Sequence, residues 1–137
     1  MLLQRFSIIQ ATTISAISLL SPEITQAQGV TPYGPAIDRL HSIAYQAEER
    51  GDFDTAIVNY RRALTAAAAL TDPILQPCGM AGAESRLRGA EAAKAYIQQY
   101  GRSPDRLVEA REASQVAFRQ YWDAFDQARP DLISKCP

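Results

Sequence analysis

From Ile37 onward, apolar residues return every three or four positions, the spacing that puts side chains on one face of an α-helix. Ile37, Leu40, Ile43, Ala44 and Ala47 make the first stripe. Gly51-Asp52 ends it, because glycine takes the left-handed conformation of a helix stop without a Cβ clash. Phe53 opens a second helix, with Ala56, Ile57, Tyr60, Ala63, Leu64 and Ala67 on its apolar side. So short a turn between two helices predicts an antiparallel αα-hairpin. Thr71 to Cys78 carries Pro73 and Pro77 and is expected to separate this hairpin from the next. A third helix is expected from about Gly79 to Tyr100, with Met80, Ala83, Leu87, Ala90, Ile97 and Tyr100 facing inward. Gly101 stops it, and Ser103-Pro104-Asp105 reads as an N-cap with proline at the first helical position. The fourth helix runs to about Ala128, before Pro130. Its stripe is Leu107, Ala110, Ser114, Ala117, Tyr121 and Ala124, widened by Phe118 and Phe125. No segment alternates as a strand does. The expected fold class is therefore all-α, two antiparallel hairpins at 37–70 and 79–128 followed by a tail at 129–137.

The chain ahead of these helices has a different pattern. Met1 to Arg5 is short and carries one positive side chain, Phe6 to Leu20 is mainly apolar, and Thr25-Gln26-Ala27 offers small residues before Gln28. That order is the layout of a secretory signal peptide, with cleavage expected after Ala27. The apolar stretch is shorter than the roughly 20 residues a membrane span requires. No cysteine adjoins the cleavage site, which argues against a lipoprotein. The expected location is the periplasm or another exported space, a lumen or the exterior, with no membrane span in the mature chain. Residues 28–36, with Gly29, Pro32, Gly34 and Pro35, are expected to form a flexible lead-in.

Composition adds little to this. Of 137 residues, 47% are hydrophobic and 21% charged, which suits one globular domain, and the apolar share is rich in alanine, which favours close helix packing. Net charge is −1, and losing Arg5 and Glu23 with residues 1–27 leaves it there. Such balance gives no pull toward nucleic acid.

One segment has a family character. Ala44 and Ala47 are small residues inside the first helix, Gly51-Asp52-Phe53 is a glycine–polar–aromatic turn, and Ala56, Tyr60 and Ala63 follow as small, aromatic and small. In this order residues 37–70 resemble a tetratricopeptide repeat. Leu40 and Ala68 depart from it, standing where that family commonly has an aromatic and a proline. The resemblance implies that small residues let the paired helices approach and that Tyr60 fills the wedge before the next hairpin. Residues 79–128 do not repeat the motif and are expected to cap the exposed flank. The resemblance also implies that one face of the first helix lines a peptide-holding groove. Asp38, His41, Tyr45 and Glu48 share that face, and an ordinary solvated surface is the competing reading.

Cys78 and Cys136 are the only cysteines. An even count in an exported chain suggests a disulfide. The two lie just before the third helix and after the fourth, which share an end if those helices are antiparallel. Two thiols and one distant histidine make a poor metal site, and nothing calls for a cofactor. There is no Gly-rich phosphate loop and no nucleophile beside a base. The chain is thus expected to be a non-catalytic module for a protein or peptide partner, with a small structural subunit of an envelope or lumenal assembly as the alternative. Trp122, among Phe118, Tyr121 and Phe125, is either core or a second partner contact.

Overall fold

Proline suits a first helical position, where its missing N–H would have no partner in the helix. In a computed structural model, which describes residues 30–137, helix α1 begins at such a proline and spans Pro35–Glu49. The export signal expected at 1–27 lies outside the described residues. Immediately before α1 the chain is tied down rather than loose. The Asp38 carboxylate accepts the Thr31 N–H at 2.8 Å and also the Thr31 hydroxyl, and the Gly34 N–H reaches the Thr31 carbonyl at 3.2 Å. Tyr33 lies so close to Gly79 that a Cβ there would stand 3.1 Å from its ring. Within the lead-in expected through residue 36, residues 31–34 form a hydrogen-bonded turn and residues 35 and 36 belong to α1.

The first turn follows its residues. The Gly51 N–H bonds the Glu48 carbonyl at 2.9 Å and the Asp52 N–H bonds the Ala47 carbonyl at 2.8 Å. These are the paired bonds of a Schellman stop. Gly51 has φ of 74°, and a Cβ on it would meet Leu107 Cδ2 at 2.9 Å, so both conformation and space require glycine. Asp52 then caps α2, Phe53–Ala68, by accepting the Thr55 N–H at 3.2 Å.

Helix α3 spans Leu75–Tyr100 and starts four residues before the position expected. Asp72 makes the difference. Its carboxylate accepts the N–H groups of Ile74 and Leu75 at 2.8 and 2.9 Å, and its carbonyl takes the Gln76 N–H at 3.0 Å. Pro77 consequently falls inside the first turn, where the N–H it lacks would be unpaired anyway. Helix α4 is Pro104–Ala128, with Ser103 accepting the Arg106 N–H at 3.3 Å.

The architecture is all-α. Each long helix packs on the one before it, α1 with α2, α2 with α3 and α3 with α4. Helix α3 is thus covered from two sides, and its buried residues are mostly small: Gly79, Ala81, Ala83, Ser85, Gly89, Ala90 and Ala93, with Cys78 and Leu87. At Gly89 a Cβ would stand 2.7 Å from Ser114 Oγ, which marks a close approach of α3 and α4. One core cluster joins Ala44 and Ala47 of α1, Ala56, Ile57 and Tyr60 of α2, and Leu87 and Ala90 of α3. A second joins Phe53, Ala93 and Ala110.

Two apolar faces are shallower than expected. Helix α4 buries only Ala110; Phe118, Tyr121 and Phe125 are half-buried and Ala124 is exposed, because α4 is covered mainly on the side facing α3. Tyr100, at the end of α3, is also exposed, its ring resting on Tyr96 at 4.6 Å. The tail expected at 129–137 contains a short helix, α5, Pro130–Ile133, which buries Leu132. It brings Cys136 back to Cys78, and the two form a disulfide with Cα atoms 5.5 Å apart.

Candidate functional site

Helix α1 presents His41 and Glu48 toward α2 and α3 rather than to open solvent. The His41 ring lies 5.6 Å from the Tyr60 ring, tilted by 55°. The Tyr60 hydroxyl donates to Glu48 Oε2 at 2.9 Å. Tyr60 is otherwise fully buried, so Glu48 supplies the partner its hydroxyl needs. Arg86 of α3 completes the group, with its guanidinium 5.3 Å from the centre of the Phe118 ring of α4. A delocalised cation over an aromatic face is attracted by the ring quadrupole.

The electrostatics follow from burial and from Arg86. Burial raises the Glu48 carboxyl, while the Tyr60 hydrogen bond and the Arg86 charge pull it back down. Burial also raises the Tyr60 hydroxyl, and the neighbouring Glu48 charge raises it further, keeping it a neutral donor. For His41, burial favours the neutral imidazole, Arg86 favours it too, and Asp38 opposes both.

Beside this group, α1, α2 and α4 enclose a small open cleft. Its volume is about 120 Å³, and it is lined by Tyr45, Glu48, Glu49, Phe53, Arg111, Ser114 and Gln115. The Arg111 guanidinium donates to the Glu49 carbonyl at 2.6 Å and closes one end of α1 onto α4. Arg102 does likewise for the Gly51 carbonyl at 2.8 Å. Tyr45 is 52% exposed and stands over this cleft.

The residues expected from the sequence therefore divide. His41 and Glu48 come together around Tyr60 and Arg86, and Glu48 with Tyr45 borders the cleft. Asp38 is engaged with Thr31 and bears on His41 through its charge. Trp122 is half-buried among Phe118, Tyr121 and Phe125, with ring centres at 6.4, 6.2 and 5.4 Å. It connects to the polar group only through Phe118, on which Arg86 rests. Arg86 and Arg111 were not anticipated. Arg86 is three residues from both Ala83 and Gly89, so it stands at the edge of the buried face. That spacing was the available signal.

Among the described residues, no three His, Cys, Asp or Glu side chains converge as a metal site, and no helix is long and apolar enough to cross a membrane. No known family, curated protein or solved structure matches the chain.

Proposed function

We propose that this chain is an exported, non-catalytic module that holds a peptide or an extended protein segment against α1 and α4. The observation that carries the reading is the cleft between them. It combines an exposed aromatic, Tyr45, with Phe53 and with polar groups on Glu48, Arg111 and Gln115 that can bond a peptide backbone. The hairpin of α1 and α2 is read as tetratricopeptide-like. Support comes from the buried Ala44, Ala47, Ala56 and Ala63, and from Tyr60 packed with residues of α1, α2 and α3. Export rests on residues 1–27 and agrees with the disulfide, a bond that persists in oxidising compartments.

Site-specific photocrosslinking tests the binding reading. A photoreactive residue at position 45 is expected to capture a partner in an envelope extract, whereas the same group at exposed Ala95 captures none. Replacing Arg111 with Glu should reduce capture at 45 by about tenfold, the effect of losing one charged hydrogen-bonding group from an interface. Equal capture at 45 and 95 would refute a site at the cleft. Capture at 122 instead of 45 would favour the alternative of a docked structural subunit. That alternative has its own support in α4, which buries one residue and leaves four rings half covered.

The compartment has a separate test. Protein recovered from the host envelope is expected to begin at Gln28 on N-terminal sequencing. Recovery of a soluble cytoplasmic protein that retains Met1 would overturn the export reading.

A further inference from the structure

Helix α1 is the most lightly held of the long hairpin helices that share the Tyr60 core. Of its 15 residues only Ile37, Ala44 and Ala47 are buried, and two of these are alanine. The disulfide closes the chain from Cys78 to Cys136 and leaves α1 outside that loop. A segment with little buried apolar area opens locally at lower cost than the whole domain. Gly51, already in the left-handed conformation, joins α1 to the rest through a short turn.

On the packed side of this helix sits His41. The groups around it come from each neighbouring element: Asp38 and Glu48 from α1, Tyr60 from α2, Arg86 from α3, and the uncharged Phe118 ring of α4 behind Arg86. Asp38 is shared with Thr31, and Glu48 is engaged by Tyr60. Arg86 takes part in none of the ion pairs among the described residues, and its charge acts on both Glu48 and His41. We propose that His41 makes α1 an acid-released element: protonation of this imidazole, packed on Tyr60 and beside Arg86, loosens α1 from α2 and α3.

The direction follows from linkage. Burial and Arg86 hold docked His41 below its ordinary 6.5. As pH falls through that value, an opened α1 binds a proton that the docked helix refuses, and the docked state loses stability. Glu48 works in the opposite sense, because burial raises its carboxyl and the docked state gains by protonating it. Its influence begins nearer the carboxylate range, so His41 governs the first step down from neutral pH. This device does not depend on what the cleft holds.

Amide hydrogen exchange on the disulfide-bonded protein provides the test. Between about pH 7.5 and about pH 5.5, exchange of residues 35–49 is expected to rise about threefold or more after correction for intrinsic rates, with α2 and α3 changing less than about twofold. His41→Gln should abolish that rise, and Arg86→Gln should diminish it. His41 is the only histidine, so one imidazole NMR signal follows its titration in the unaltered chain. The midpoint should lie below 6.5 and track the change in exchange. A rise that survives in His41→Gln would overturn the proposal. So would unchanged exchange in the unaltered protein, or an imidazole midpoint at or above the ordinary value. The imidazole titration decides the matter even if either variant fails to fold.

Discussion

Reducing the Cys78–Cys136 bond is expected to lower the melting temperature by on the order of 15 °C, the largest single effect in this molecule. The bond joins residues 58 apart. On the chain-entropy account, a closed loop of that size withholds about 4 kcal/mol of disorder from the unfolded chain. A small domain has little stability to spare, so most of its reserve is at stake. Cys78→Ser should reproduce the effect of reductant, and reductant should then do nothing further to the variant. The helices should survive at low temperature, because the Tyr60 cluster lies outside the closed loop except for Leu87 and Ala90. Labelling of both thiols in oxidised, folded protein would refute the bond.

Ala56→Leu and Ala63→Leu should each destabilise the protein by about 1–3 kcal/mol, through overpacking. Both alanines are fully buried, and Ala56 shares a core cluster with Ala44 and Ala47 of the facing helix. Three added carbon atoms there must push α1 and α2 apart or force side chains out of their rotamers. Ala68→Leu is the control, since Ala68 is exposed at the end of α2 and its replacement should leave the melting temperature nearly unchanged. Denaturant unfolding measures all three. No effect from either buried substitution would mean that close packing of this hairpin is not what the small residues provide.

How much of this was legible in the sequence depended on range. The turn at Gly51-Asp52 could be read because the bonds that shape it, from Gly51 to Glu48, Asp52 to Ala47 and Thr55 to Asp52, are local. The start of α3 could have been read as well. Asp72, like Ser103, is a side-chain acceptor followed by a proline, and it accepts the N–H three residues on, but Pro77 so close behind reads as a break. Burial of α3 on two faces was not legible. A helix enclosed by two neighbours with small residues on both sides loses the single stripe that periodicity detects. The thin coverage of α4 was hidden for the opposite reason: its stripe is real, but a stripe does not reveal how much lies across from it. At the candidate site, His41, Tyr45 and Glu48 could be placed on one helix face. Their union with Tyr60 and Arg86 joins residues up to 45 positions apart, and only the fold brings those together.

The order of packing bears on how the chain reaches this structure. Because each long helix rests on its predecessor, most contacts close short loops, and chains with such local contacts fold fast. α1 and α2 can meet as soon as Asp52 has turned the chain, and α3 adds to a surface already formed. The cysteines are different: their sulfurs meet only once α4 has run back along α3 and α5 has turned inward. In the finished fold the bond therefore seals the end of the chain onto the start of α3.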